Sequence, residues 1–282
     1  MRAGGGPRAL WIGGGTGAGK STVTRILAGR LGVRAYHIDS FTWVHAARRT
    51  PAQERFLARS LDERWVDAEP AQMVDWFVEI SRERLALVEE DLAKLPAQPP
   101  VLVEGPQVLP ELLPASAAAV FLFSTAEFRR RAIGTRPFTL PVSDPERARE
   151  NRLARDTLLA ERIRAAAALR GDRVIDIEPA GDADAVAEIV AAQIPEHPLL
   201  GEAERAAVRR WENDATATQL RLWLASGEGP RELTSYPFAC ECGRLGCSDR
   251  VELAVEAFTE LAARDGRVLS DSAGVTSSGG HV

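Results

Sequence analysis

A glycine-rich segment near the start of the chain constrains its fold more than any other feature. Residues 14–21 read GGTGAGKS, which satisfies the pattern G-x-x-x-x-G-K-[ST] at each required position. Its glycines let successive backbone N–H groups turn inward around an anion, and a following helix adds the partial positive charge of its N-terminus. An apolar strand pattern precedes the segment and a helical pattern follows it. This context predicts a loop that binds nucleoside triphosphate phosphates.

Each residue type in this loop has an expected role. Lys20 would contact the β- and γ-phosphates, and the Ser21 hydroxyl would ligate Mg²⁺. ATP and Mg²⁺ are therefore the expected cofactors. The residues predicted to hold the nucleotide are Gly14, Gly15, Thr16, Gly17, Ala18, Gly19, Lys20, Ser21 and Thr22.

Five short apolar segments predict the strands of one sheet. They lie at about residues 8–13, 34–39, 100–105, 118–123 and 173–178, and helical patterns separate most of them. Strands that alternate with helices indicate a parallel sheet covered on both faces. We therefore predict a three-layer α/β/α P-loop NTPase domain with a five-stranded parallel sheet over residues 1–195.

The rest of the chain has a different pattern. Residues 196–230 are predicted to be a helical linker, with its helix at about 202–225, and residues 231–282 a small Cys-rich module. A short helix is expected near residues 251–264.

With its P-loop in this context, the stretch 8–195 resembles the P-loop kinase group, which includes uridine, cytidylate and shikimate kinases and chloramphenicol phosphotransferase. The resemblance implies transfer of a phosphoryl group from ATP to a hydroxyl of a small molecule. It also implies that strands two and three lie beside the P-loop strand. Asp39 and Glu104 would then share one crevice at the carboxyl edge of the sheet.

Two carboxylates are candidate site residues. Asp39 resembles the acidic residue that several of these kinases carry after strand two, where it can accept the proton of the attacking hydroxyl. Its alternative role is a helix N-cap. Glu104 ends an apolar run and is a candidate either to hold Mg²⁺ through a water or to contact the substrate. Its alternative is a loop carboxylate facing solvent.

An arginine-dense stretch follows the fourth strand. In the kinases that it resembles, this place holds a lid whose arginines close over the phosphates and stabilise the charge of transfer. Arg152 and Arg155 are the main candidates because they can share one helix face, with Arg136 and Arg149 behind them. The alternative is that these arginines only solvate an exposed helix.

The histidines near strand two carry weaker signals. His37 is expected to be a packed or surface histidine and not a catalytic one. His45 follows Phe41 and Trp43, and this group either lines an acceptor pocket or belongs to the core; the sequence favours neither.

Three cysteines, Cys240, Cys242 and Cys247, form the pattern C-x-C-x₄-C. Thiolates this close can converge on one Zn²⁺, and His281, the only histidine after them, would supply a fourth ligand. The segment is similar to a small bacterial module of unassigned role, in which a cysteine cluster is followed by a valine-rich strand and a late Gly-His pair. Residues 250–253 (RVEL) and 280–281 (GH) match that order, so the resemblance implies a strand at 250–253. The alternatives are reduced structural cysteines and a redox role.

Composition narrows the function classes. The net charge of −5 argues against a general nucleic-acid binder, since phosphate backbones favour a basic face. No stretch approaches the roughly 20 apolar residues that would span a membrane, and the first residues lack the apolar core of a signal peptide. We therefore expect a cytoplasmic protein.

Two function classes follow from these features. The first is an ATP-dependent kinase acting on a small-molecule acceptor, whose identity the sequence does not indicate. The second is an ATP-binding regulatory or adaptor protein, whose nucleotide state controls binding of a protein partner through residues 200–282.

Overall fold

The computed structural model describes residues 8–48, 50–125, 127, 140–178, 182–226 and 234–273. Within them, each of the five predicted strands is present, with ends within two residues of those expected. They form one parallel sheet in the order β2-β3-β1-β4-β5. The strands are β1 (Ala9–Gly14), β2 (Arg34–His37), β3 (Val101–Glu104), β4 (Ala118–Ser124) and β5 (Arg173–Ile177).

The P-loop strand β1 is central, with β3 on one side and β4 on the other. Strand β2 pairs with β3 and not with β1, so the expectation that strand two lies beside the P-loop strand is wrong. Because the strands are parallel, the carboxyl ends of β1, β2 and β3 still meet at one edge. Glu104 is there in register with Ile12 of β1 and with His37 of β2.

Helices cover both faces of the sheet. Leu10 and Ile12 of β1 pack into the core on the side of α1 and α7, whereas Trp11 packs into the core on the side of α5 and α6. This alternation follows from the period of two along a strand. The helices of the described residues are α1 (Lys20–Leu31), α2 (Thr42–Ala46), α3 (Pro51–Leu57), α4 (Leu61–Trp65), α5 (Pro70–Leu92), α6 (Pro145–Arg170), α7 (Ala183–Ala191), α8 (Glu202–Ala225) and α9 (Val255–Ala263).

Helix α6 carries the candidate arginines, and its two ends have strong local signals. The Asp144 carboxylate accepts a hydrogen bond from the Arg147 backbone N–H, which caps the first turn, and Pro145 occupies the first helical position. The helix ends at Gly171, whose φ of 74° lies in the left-handed region.

The C-terminal part contains a two-stranded antiparallel sheet, β6 (Tyr236–Ala239) and β7 (Arg250–Leu253), followed by α9. The predicted helix near 251–264 is thus correct only for its second half. Val251 and Leu253 alternate, and both pack on the core around Phe238, which is the pattern of a strand.

Helix α8, predicted at 202–225, lies between the P-loop sheet and this small sheet. On one side the Glu212 carboxylate accepts a hydrogen bond of 2.7 Å from the N–H of Ala35 on edge strand β2. On the other side the Asn213 amide pairs with both backbone groups of Ala239, at 2.8 and 2.9 Å. The division at residues 195 and 230 stays a prediction.

Candidate functional site

The loop between β1 and α1 has the backbone of a phosphate-binding turn. Gly14 has φ 117°, and a Cβ there would lie 1.9 Å from the carbonyl oxygen of Leu122, so only glycine fits. Gly19 precedes α1 without a side-chain cap, and the first turn of α1 holds no acidic residue. No side chain of this turn therefore competes with an external anion for its N–H groups.

Lys20 begins α1 and folds back onto the loop. Its ammonium donates to the carbonyl oxygen of Gly15 at 2.8 Å and lies 3.4 Å from that of Gly14. Burial lowers the pKa of Lys20, and the negative charges of Glu104 and Asp39 oppose this change. The ammonium thus faces backbone carbonyl oxygens, and phosphate oxygens of a bound nucleotide could replace them as acceptors.

The P-loop forms one wall of a cleft with a volume of ≈ 610 Å³. The predicted site residues Asp39, Glu104, Arg152 and Arg155 line it with the loop, so the fold brings all of these side chains together. The rest of the lining is Phe77, Pro106, Asp156 and Leu159.

Glu104 is the last residue of β3 and is only 5% exposed, so the solvent-facing alternative is wrong. Its carboxylate lies 2.6 Å from His37 Nδ1 and also hydrogen-bonds the Ser21 side chain. Burial opposes ionisation of Glu104, but these hydrogen bonds and the charges of His37 and Lys20 hold its pKa below the usual value. A carboxylate beside the P-loop hydroxyl offers the hard oxygen ligands that Mg²⁺ prefers, so these residues fit that ion.

His37 is not among the described residues that line the cleft, but it contacts the site through Glu104. The sequence predicted a packed or surface histidine and did not indicate this contact. His37 ends β2 and stands in register with Glu104. The signal that could have identified it is its position two residues before Asp39, where strand two ends. The contact itself depends on β2 being adjacent to β3, which the sequence does not specify.

Asp39 lies in the 3₁₀ helix Ile38–Phe41 that follows β2, and its side chain caps neither this helix nor α2. The N-cap interpretation is therefore wrong. Its exposed carboxylate is 3.4 Å from the Gln107 amide nitrogen. The 3₁₀ helix is held by buried Arg84, whose guanidinium donates a hydrogen bond of 3.0 Å to the backbone carbonyl of Ile38.

Of the candidate arginines, Arg152 and Arg155 line the cleft from α6. Arg149 points instead toward Glu146, 3.9 Å away on the same helix. Arg136 lies outside the described residues, as does most of the stretch predicted to form the lid.

Arg155 is held in place by its neighbours. Its guanidinium donates to the Asp156 carboxylate at 2.5 and 2.9 Å and lies over the rings of Trp65 and Phe77. Asp156 is 2% exposed and was not recognised from the sequence. Its other carboxylate oxygen has no hydrogen-bond partner within the part of the chain that the structure describes.

The aromatic group after strand two belongs largely to the core. Phe41 stacks on Tyr36 with ring centroids 4.2 Å apart. His45 is fully buried and lies 2.9 Å from the Asp91 carboxylate. Trp43 lines a separate groove, so none of the three lines the P-loop cleft.

The three cysteines converge as their spacing predicts. The sulfur atoms of Cys240, Cys242 and Cys247 lie within 4.8 Å of one another. The Arg244 N–H donates to Cys242 Sγ, and the Ser270 N–H to Cys240 Sγ, both at 3.4 Å. Burial raises the pKa of Cys247 to about 12, and three adjacent thiolates repel one another unless a cation neutralises them. The donor set therefore fits a soft divalent metal ion.

This cysteine cluster is packed against the P-loop domain. The Gly246 N–H donates to the carbonyl oxygen of Gly29 on α1 at 2.8 Å. The Arg205 guanidinium of α8 donates to the carbonyl oxygen of Gly243 at 2.7 Å. His281, the predicted fourth ligand, lies outside the described residues.

No protein-family model and no curated protein sequence matches this chain. Among solved structures it is similar to a shikimate kinase from Acinetobacter baumannii in complex with shikimate, with 22% identity over 65% of this chain and 90% of that one, and a TM-score of 0.40. A shikimate kinase from Bacteroides thetaiotaomicron has 16% identity over 66% of this chain and 97% of that one, and a TM-score of 0.36. Likeness at this level carries no argument about activity.

The fold assignment rests on the chain itself. Five parallel strands in the order β2-β3-β1-β4-β5 carry a glycine-rich loop between the central strand and α1. Within the described ranges, no helix has the length and apolar character needed to cross a bilayer. The chain has the α/β fold of the P-loop NTPases, with a Cys-rich segment packed against it.

Proposed function

We propose that this protein is an ATP-dependent kinase that transfers the γ-phosphoryl group to a hydroxyl of a small molecule. The observation that carries the proposal is the convergence on one cleft of a P-loop lysine, two carboxylates and two arginines. A nucleotide-binding switch needs the loop and a metal ligand. It does not require a second carboxylate, such as that of Asp39, in the same cleft.

The P-loop and its neighbours would hold the nucleotide and the metal ion. The N–H groups at the start of α1 and the Lys20 ammonium would bind the phosphates. Ser21 and Glu104 would hold Mg²⁺, directly or through water. When bound, Mg²⁺ neutralises charge on the β- and γ-phosphates.

Asp39 would orient the acceptor hydroxyl and receive its proton. The bond from the acceptor oxygen to the γ-phosphorus then forms as the bond from that phosphorus to the β–γ bridging oxygen breaks, which releases ADP. Arg152 and Arg155 would stabilise the negative charge of the transferring group. Arg155 is already oriented by Asp156.

A screen for acceptor-stimulated ADP formation tests the proposal. Purified protein with Mg²⁺ and ATP is offered nucleosides, sugars, aminoglycosides and other hydroxylated small molecules. We expect one class to stimulate ADP formation and Lys20→Ala to abolish it. Lys94→Ala is the matched control, because Lys94 is the other lysine of the chain and is exposed. ADP formation that survives in Lys20→Ala would contradict the assignment.

One observation favours the second candidate, an ATP-dependent regulatory or adaptor protein. The cysteine cluster contacts α1 directly, through Gly246 and Gly29. A shift of α1 on nucleotide binding would therefore be transmitted to residues 200–282. Tight binding of ATP, with no acceptor that stimulates ADP formation, would favour this candidate over the kinase.

We also propose that the cysteine cluster holds a structural Zn²⁺, with His281 as fourth ligand. Four protein ligands would close the site, and the metal would add binding energy to a segment with a small core. We expect about one zinc per chain by elemental analysis, and its loss in Cys242→Ser but not in the neighbouring exposed Ser248→Ala. Wild-type protein that is purified with zinc present and carries none would contradict the site.

The variant His281→Ala tests whether His281 is the fourth ligand, separately from whether the cysteines bind zinc. A weaker zinc affinity in this variant, measured by chelator competition, is expected if His281 is a ligand. An unchanged affinity would show that another group completes the coordination.

A further inference from the structure

His37 lies between Glu104, the proposed metal ligand, and helix α8. Its Nδ1 lies 2.6 Å from the Glu104 carboxylate. Its own side chain is 22% exposed, and that of Glu104 is 7% exposed. The two residues are neighbours in register on adjacent parallel strands, so the backbone hydrogen bonds between β2 and β3 set their spacing.

His37 also borders a small cavity of ≈ 40 Å³. The other residues that line it include Glu212 and Arg209 of α8 and Cys240 and Cys247 of the cysteine cluster. Helix α8 is in turn tied to β2 by the hydrogen bond between Glu212 and the neighbouring residue Ala35. The backbone at His37 is therefore held by β3 on one side and by α8, through Ala35, on the other.

The Glu104 carboxylate needs such a support. A glutamate has three side-chain torsions, and at the cleft its position decides whether its oxygens face the P-loop hydroxyl. In the structure it meets His37 on one side and the Ser21 side chain on the other. Hydrogen-bonded partners of a ligating carboxylate commonly contribute 10- to 100-fold to metal affinity.

We propose that His37 is a positioning residue that holds the Glu104 carboxylate beside Ser21 for Mg²⁺ bound with the nucleotide. This inference rests on the proposed function, because it assigns Glu104 to the metal. It assigns no proton transfer to His37. The alternative is that His37 has only a packing role at the edge of the sheet.

Two substitutions separate these roles. His37→Asn keeps an N–H donor close to the position of Nδ1, whereas His37→Leu fills similar space without a donor. The readout is the affinity for ADP by calorimetry, with Mg²⁺ and with EDTA, in the absence of any acceptor. Thermal unfolding of each variant reports whether the fold is retained.

We expect His37→Leu to weaken the Mg²⁺-dependent part of ADP binding about 10-fold or more, and to leave binding in EDTA unchanged. His37→Asn should recover most of the loss. In a double-mutant cycle, Glu104→Gln and His37→Leu together should cost less than the sum of the two single losses, because both act on one carboxylate.

Three results would overturn the inference. The first is a His37→Leu variant with wild-type Mg²⁺ dependence, which would leave the kinase proposal intact. The second is equal losses with Mg²⁺ and with EDTA in both variants, which would indicate a structural role only. The third is wild-type protein that binds no ADP with or without Mg²⁺, which would overturn the proposed function as well.

Discussion

At the scale of single residues, the two carboxylates of the cleft have different surroundings. Glu104 is buried against His37 and Ser21, whereas Asp39 is exposed and contacts the Gln107 amide. The buried carboxylate suits a fixed metal ligand, and the exposed one suits a group that meets an incoming hydroxyl. Their environments therefore divide the two tasks.

Replacement of Asp39 by Asn should separate binding from transfer. The amide cannot accept the hydroxyl proton, so we expect the turnover rate to fall by about 10²- to 10⁴-fold. The affinity for Mg·ADP should change little, because Lys20 and the loop remain. Asp75→Asn, on the exposed face of α5, is the matched control. Unchanged turnover in Asp39→Asn would remove the residue from the mechanism.

A second residue-scale prediction concerns His45, which lies fully buried beside Asp91. Burial lowers the pKa of His45, although the hydrogen bond with Asp91 opposes this. The unfolded chain therefore takes up a proton near pH 6.5, where the folded chain does not. The stability linked to this group is complete above that pH and declines as the pH falls below it.

The measurement is the free energy of unfolding in urea at pH 7.5 and at pH 5.5. Wild-type protein should lose more stability between these values than His45→Gln, which keeps a donor for Asp91 but does not titrate. Equal losses in the two proteins would show that His45 is not linked to folding in this range.

At the residue scale the sequence was informative where the chemistry is local. Lys20 and Ser21 follow from a contiguous motif, and the cysteines from a spacing of a few residues. His37 was missed because its contact with Glu104, 67 residues along the chain, depends on strand register. Asp156 was missed because its burial beside the cleft depends on how α6 packs, although the arginine it contacts is its neighbour Arg155.

At the scale of elements, α1 has two functions in this structure. Its first turn faces the cleft, and its last turns support the cysteine cluster. A Cβ on Gly29 would lie 2.6 Å from the carbonyl oxygen of Cys247, so the cluster approaches the helix backbone too closely for a side chain. No pattern in the sequence predicts this contact.

Gly29→Ala tests this packing, because the contact determines whether the substitution raises or lowers the melting temperature. Within a helix, alanine is favoured over glycine by about 1 kcal/mol, so an unpacked site would be stabilised. We expect the opposite here: a lower melting temperature and less bound zinc per chain. A higher melting temperature with unchanged zinc content would show that the cluster does not rest on α1.

The strands and long helices were predictable because each has its own period and punctuation. Helix α8 begins directly after Gly201 and ends at Ala225, as its pattern predicts. For β7, the module that the segment resembles implies a strand at Arg250–Leu253, whereas the helical pattern at about 251–264 overlaps it, because four residues are too few to establish a period of two. Its pairing with β6 decides the outcome.

At the scale of the whole molecule, α8 joins two parts that the sequence describes separately. It meets the edge strand of the P-loop sheet through Glu212 and the small sheet through Asn213. The sequence predicted a helix here but not its partners, because a linker and a bridging helix share the same amphipathic pattern. The cleft and the cysteine cluster are consequently parts of one packed structure.

The most direct test of the central claim is to follow the γ-phosphate of labelled ATP. With the acceptor class found in the screen, wild-type protein should move the label onto an organic phosphate, and Lys20→Ala should leave it on ATP. Label that appears only as inorganic phosphate, or that remains on ATP, would contradict the assignment of this cleft to phosphoryl transfer onto a small-molecule hydroxyl.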